Sequence, residues 1–271
     1  MGLERGGRAG NVLELGTRYA YSDRLRGRFS PVSRECLLEI SVESLEASLA
    51  AERGGADRIE LCSNLSAGGI TPSAALMHAV RAHLSIPVFA MVRPRAGDFV
   101  YSAAELSEMR RSIANAQESG MDGVVLGVLT KDHRVDVART RELVEFAKPL
   151  SVTHHRAFDE AADLRQALED VIQSGAKRIL TSGGAKSALE GAAVLAELIE
   201  AAGERIVIVP GAGISATNIE QVVRQARARE FHSGLSTALP YWSTDYKKLE
   251  EEVRKLGERL AQINGTQTTA E

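Results

Sequence analysis

Cysteine is nearly absent from this 271-residue sequence, which holds only Cys36 and Cys62. Two thiols cannot staple a chain of this length, so each is expected as a reduced, buried thiol and the chain as a cytoplasmic protein. No run of about 18 apolar residues occurs, which excludes a membrane-spanning helix. Neither sign of charge dominates: 33 basic against 36 acidic residues leave a net charge of -3, so nucleic acid is not an expected partner. A GxGxxG fingerprint is missing after the first apolar run, which argues against an open, doubly wound nucleotide-binding sheet.

Residues 1–34 also lack a sustained apolar period. They carry Arg5, Arg8, Arg18, Arg24, Arg26, Arg28 and Arg34 among scattered glycines and are expected to form a poorly ordered extension. Glu4, Glu14 and Asp23, with no clear amphipathic helix, speak against a transit peptide.

From Leu37 onward, short apolar runs alternate with amphipathic stretches of helical length. Strands are expected over 37–41, 58–62, 87–93, 123–128, 151–155, 178–181, 206–209 and 230–232. Helices are expected over 42–53, from 73 onward, and over 103–119, 136–147, 163–174, 187–201 and 215–226. The segments Gly55-Ala56-Asp57-Arg58, Gly120-Met121-Asp122-Gly123 and Gly175-Ala176-Lys177-Arg178 each lead from a helix end into a strand, a weak internal repeat. Strands joined by crossover helices run parallel, and eight of them close into a (β/α)8 TIM barrel, for which about 250 residues is typical. This barrel domain is expected over 35–264. It includes a C-terminal helix over 245–263, whose Leu249, Val253, Leu256 and Leu260 would pack on the barrel or on a second copy in a homo-oligomer. A disordered tail is expected over 265–271.

In such a barrel the site lies where strands end and βα loops begin. The run Asp57 to Ser63 puts Arg58, Glu60 and Cys62 on one face of strand two and Ile59 and Leu61 on the other. Two charges and a thiol facing inward are natural for a pocket and odd for a core. The other strand ends contribute Glu39 and Ser41, Arg93, His155 with Arg156 and Asp159, Thr181-Ser182-Gly183, Gly211 and Gly213, and His232-Ser233-Gly234. Glu39, Glu60, Arg93, His155, Arg156 and Asp159 are the candidate catalytic groups. Thr181, Ser182, Gly183, Gly211, Gly213, His232, Ser233 and Gly234 are the candidate anion site, because small residues after strands seven and eight expose N–H donors where this fold binds phosphate. Taken singly, each has a structural role open to it: Arg58 as partner to Glu39 or Glu60, His154 facing the helices, Ser215 or Thr217 as a helix cap.

Together, several blocks resemble the copper homeostasis protein CutC family: Glu39, residues 52–63, Gly68-Gly69 with Thr71-Pro72, Arg93-Pro94-Arg95 with Gly97-Asp98-Phe99 and Tyr101, residues 155–159, Thr181-Ser182-Gly183, Pro210-Gly211 with Gly213-Ile214, and Glu230-Phe231-His232. The resemblance runs from about Leu37 to Ser236. It implies a TIM barrel, a cytoplasmic setting, and Cu(I) held through Cys62 and His155. Cu(I) prefers two or more sulfurs. Ser41 and Ser233 stand where some relatives carry cysteine, which leaves Cys62 with Met91 on the neighbouring strand. The residues alone allow a second reading: a lyase, isomerase or hydrolase acting on a small anionic or phosphorylated substrate, with Glu60 or His155 as acid/base and Arg93 and Arg156 holding charge.

Overall fold

The computed structural model describes residues 36–236 and 238–267; the extension expected over 1–34 lies outside them. Eight strands alternate with helices: β1 (Leu37–Val42), α1 (Leu45–Gly54), β2 (Arg58–Leu61), α2 (Ala74–His83), β3 (Val88–Met91), α3 (Ala103–Glu118), β4 (Gly123–Leu126), α4 (Val137–Ala147), β5 (Ser151–His154), α5 (Leu164–Ser174), β6 (Arg178–Thr181), α6 (Ala192–Ala202), β7 (Val207–Pro210), α7 (Ile219–Ala226), β8 (Glu230–Ser233) and α8 (Tyr246–Gln267). All strand pairs are parallel. The hydrogen-bonded order runs β7-β6-β5-β4-β3-β2-β1-β8, with β7 lying against β8 to bring the sheet round on itself. This is the (β/α)8 barrel expected from the sequence.

Side-chain alternation sorts the strands into two environments. Leu38, Ile40, Ile59, Leu61, Val88, Ala90, Val124, Leu126, Val152, Ile179, Ile208 and Phe231 point outward and join the helices in one aliphatic core. Facing inward are Glu39, Arg58, Glu60, Phe89, Met91, Val125, Thr153, Arg178, Leu180, Val209, Glu230 and His232, so six charged or titratable side chains share the barrel interior with apolar ones. A small apolar cluster of Cys62, Phe89, Met91 and Val125 lies within it.

The repeated glycines have a backbone reason. Gly55, Gly120 and Gly175 follow α1, α3 and α5 with φ of 91°, 72° and 90°, the left-handed turn that ends a helix and sends the chain back into a strand. Asp57 and Asp122, two residues further on, accept hydrogen bonds from the N–H groups of Leu38 and Val88, at the start of the preceding strand in each case.

Three helices start later than their sequence pattern suggests; α1 begins at Leu45 rather than 42, because Val42 completes β1 and Ser44 caps the helix by accepting from the Ala47 N–H. Before α7, the Asn218 side chain accepts from the Ser215 N–H and donates to the Gly213 carbonyl, forming a turn over residues expected to be helical. Ser215 and Thr217 bond to each other, so neither caps the helix; Asn218 is the N-cap residue and makes no side-chain cap bond. Before α6, residues 187–191 also form turns. At the other end of the chain, α8 continues to Gln267, past the expected stop at 263. Its Val253, Leu256 and Leu260 are fully buried against α1 and α7 of the same barrel.

Candidate active site at the mouth of the barrel

The floor of the site is a chain of buried charges. Register places Glu39 opposite Arg58 on one side and His232 on the other. Arg58 donates from Nε to Glu39 and from Nη2 to Glu230 at 2.7 Å. Arg178 continues the chain, with Nε 3.1 Å from the same Glu230 oxygen and Nη1 donating to Ser151 at 2.9 Å. Both guanidinium groups lie about 5 Å from the centre of the Phe89 ring. Phe89 in turn covers Gly123, where a Cβ would come within 2.7 Å of ring carbons. Two carboxylates thus face two guanidinium groups, which is what allows four charges to be withdrawn from water.

Directly above, Glu39 Oε1 bonds His232 Nδ1 at 2.7 Å. The other nitrogen, Nε2, stands 3.8 Å from Glu60 Oε2. Cys62 donates its thiol proton to that oxygen at 3.6 Å, while Glu60 Oε1 is buried with no partner. Burial would raise Glu39, but Arg58 and then His232 outweigh it and hold its carboxyl well below the usual range. Glu60 shares the burial and lacks a guanidinium bond, so its pKa rises despite the opposing pull of His232. For His232, burial favours the neutral ring, yet the Glu60 and Glu39 carboxylates prevail and raise it. Burial, reinforced by Glu60, pushes the Cys62 thiol well up.

These groups open onto a pocket of about 320 Å³ at the C-terminal ends of the strands. Of the six candidate catalytic residues, Glu60, Arg93, His155, Arg156 and Asp159 line it; Glu39 sits one tier below, behind His232. Arg93 is held by the loops: Nη1 donates to the carbonyls of Ala67 and Gly69, Nη2 to that of Gly97, and the guanidinium lies 4.8 Å from the Phe99 ring centre. His155 Nδ1 accepts the Ala157 N–H at 3.2 Å, which leaves the ring proton on Nε2, a buried atom with no protein partner. Burial, with His154 and Arg93 adding to it, keeps this ring neutral. His154, of opposite parity, packs edge-on against Phe158 on the helix side.

Asp159 has a different task. It accepts from the Thr181 hydroxyl, the Ser182 hydroxyl and N–H, and the Gly184 N–H, and pairs with Arg156 Nε at 2.8 Å. The donors after β6 are therefore committed within the protein, the Gly183 N–H to the Thr181 hydroxyl and the others to Asp159, and Thr181, Ser182 and Gly183 are not among the pocket-lining residues. Gly211 is hemmed in by Leu180, and the Ser233 hydroxyl donates to the Ile214 carbonyl away from the pocket. Gly213, His232 and Gly234 do line it, and the N–H groups of both glycines donate to no protein group among the described residues.

Sequence reasoning missed Arg178 and Glu230 in the floor and Tyr241 at the rim. The first two sit at strand starts, on the inward parity that already marked Arg58; Tyr241 follows β8 in a loop with no periodic signal.

Among the described residues, Glu39, Glu60 and His232 form the one group of three His, Cys, Asp or Glu side chains close enough to share a metal ion. Both oxygens of Glu39 are already engaged, by Arg58 and His232. One nitrogen and one carboxylate remain, short of the ligand number of a tight divalent site. Neither Cys62 nor His155 joins the group, so the soft donors that Cu(I) favours are not assembled here.

Fold and pocket define a class, a TIM barrel with a polar pocket at the mouth of its strands. The sequence profile of the CutC family matches residues 36–237, and the chain belongs to that family. It is 50% identical over 197 residues to a family protein CutC of Chromobacterium violaceum, covering 73% of this chain and 80% of that one. To the human copper homeostasis protein cutC homolog it is 45% identical over 217 residues, covering 79% and 80%. The crystal structure of CutC from Streptococcus agalactiae superposes with a TM-score of 0.70 at 30% identity, covering 73% of this chain and 98% of that one. No helix among the described residues is long and apolar enough to cross a membrane.

Proposed function

We propose that this chain serves copper homeostasis, the role carried in the names of its human and mouse relatives, and that it does so by acting on a small molecule in the barrel mouth. The observation that carries this reading is the pair Glu60 and His232, buried and facing a pocket, with Glu60 Oε1 unpartnered and His232 Nε2 free of hydrogen bonds. Such groups are placed for proton transfer. The alternative mode, Cu(I) held by Cys62 with His155, has less support: the thiol keeps its proton, points to Glu60, and finds only Met91 as a second sulfur in its cluster.

Complementation separates the two. In cells disrupted for this chain and challenged with copper salt, wild-type protein and Cys62→Ser are expected to restore growth, whereas Glu60→Gln and His232→Asn, expressed at equal level, are expected to fail. Restoration by Glu60→Gln together with failure of Cys62→Ser would overturn the small-molecule reading in favour of thiolate binding.

A further inference from the structure

Three side chains that line the pocket are buried and incompletely satisfied, Glu60, Arg93 at its Nε and His155, and the first and last have opposite chemical characters. Glu60 on β2 offers Oε1, an acceptor with no partner. His155, at the end of β5, offers Nε2–H, a donor with no partner, because its Nδ1 is occupied by the Ala157 N–H. A buried donor or acceptor left unmet is costly, so both fit a ligand that accepts at one point and gives up a proton at another. A carbonyl compound with an acidic neighbouring C–H has that pattern. The rim offers groups that suit an anion: Gly213 and Gly234 line it with N–H groups that donate to no protein group among the described residues, and the Arg156 guanidinium is 45% exposed although tied to Asp159. Arg93 commits both terminal nitrogens to three carbonyls, which fixes it in place, while its Nε–H has no partner and adds positive charge to the pocket wall. The volume, about 320 Å³, lies at the small end of ligand sites and suits a substrate of a few carbons.

We propose that the pocket isomerises a small phosphorylated α-hydroxycarbonyl compound by proton transfer, with Glu60 as the base and His155 as the hydrogen-bond donor to the carbonyl. Glu60 takes the proton from the carbon beside the carbonyl. The C–H electron pair becomes the C=C bond of an enediolate, and the carbonyl π pair moves to the oxygen held by His155 Nε2–H. The hydroxyl proton on the neighbouring carbon passes to that oxygen and its O–H pair forms the new C=O, while the C=C pair takes the proton back from Glu60 at the former carbonyl carbon, which gives the isomer and restores Glu60. Nothing is oxidised or reduced overall and no co-reactant is consumed. A neutral imidazole suits the donor role, since a carbonyl oxygen needs polarising without a proton being lost to it. Gly213 and Gly234 receive the phosphate, with Arg156 at its edge.

This proposal rests on the small-molecule reading above and names its reaction. The test uses chelator-treated full-length protein in D2O, with dihydroxyacetone phosphate and ribulose 5-phosphate as probes, following loss of the proton beside the carbonyl by NMR. At least one probe is expected to exchange at least 100-fold faster than in buffer. Glu60→Gln is expected to slow that exchange 100-fold or more. His155→Ala should lower kcat with little change in KM, and His155→Gln, which keeps a donor, should recover part of it; Arg156→Ala should mainly raise KM. Melting curves of each variant establish that it is folded. Should Glu60→Gln not fold, competition of wild-type exchange by phosphoglycolate, a mimic of the charged intermediate, takes its place. No exchange with either probe, exchange unaffected by a folded Glu60→Gln, or no competition by phosphoglycolate would overturn the proposal. If copper tolerance still depended on Glu60 and His232, the site reading would stand with a different reaction.

Discussion

At the scale of single residues, the site is governed by which charges have partners. Glu39 is the best partnered, since it binds Arg58 and His232 at once. Glu39→Gln would leave Arg58 buried with one anion fewer, at a cost of about 3–5 kcal/mol visible in a lowered urea midpoint. The same change should lower the His232 titration followed by NMR, because a carboxylate bonded to its Nδ1 is gone. Acid should act elsewhere. Burial holds His154 down to about 4 and His155 well below the ordinary imidazole value. An unfolded chain therefore binds protons at these rings that the folded chain refuses. Stability from both is full above about pH 6.5 and is lost as pH falls toward 4, by up to about 1.4 kcal/mol per pH unit for each ring. His232, raised by its carboxylates, has the opposite sign: its contribution is full below the ordinary value and is lost as pH rises through the folded one. Urea midpoints of His154→Phe should therefore fall less steeply between pH 6.5 and 4.5 than those of wild type. The inward parity of Glu60 and the contrast between His154 and His155 were legible in the sequence, because strand alternation is rigid. The role of Asp159 was not, since which donors a loop carboxylate gathers depends on how a short 3-10 turn, Arg156–Glu160, folds over β6.

At the scale of elements, the strands are legible because outward aliphatic residues alternate with inward polar ones, a pattern few other structures leave. The starts of α6 and α7 are not, because turn residues there carry the same polar and small side chains as a helix N-terminus. Gly54 shows how close an element contact can be. A Cβ at this position would stand 2.7 Å from the Glu250 carbonyl and from the Val253 side chain of α8. Gly54→Ala should therefore push α8 from α1 and cost about 1–3 kcal/mol by overpacking. Hydrogen exchange would report it as faster amide exchange across α8, while the strands keep their protection.

At the scale of the molecule, α8 closes the barrel's outer layer over α1 and α7. Val253, Leu256, Leu260 and Ile263 are buried there, and each contributes about 1.5–3 kcal/mol. Together, roughly 6–12 kcal/mol is comparable to the entire net stability of about 5–15 kcal/mol expected of a domain. A chain truncated after Ser243 should thus lose its cooperative melt in calorimetry rather than shift it. The barrel followed from the count of eight runs and the Arg58–Glu39 pair from strand parity, but the extension of the floor through Glu230 and Arg178 did not, because these two lie at strand beginnings, away from the ends that carry chemistry. That floor restricts how the sequence can drift. Arg58 and Arg178 share Glu230, and Arg58 also serves Glu39, so replacing any one of the four strands a charge on another strand. Substitutions there are expected to accumulate in matched sets, and a library randomised at these four positions should return survivors whose floor charges sum to zero.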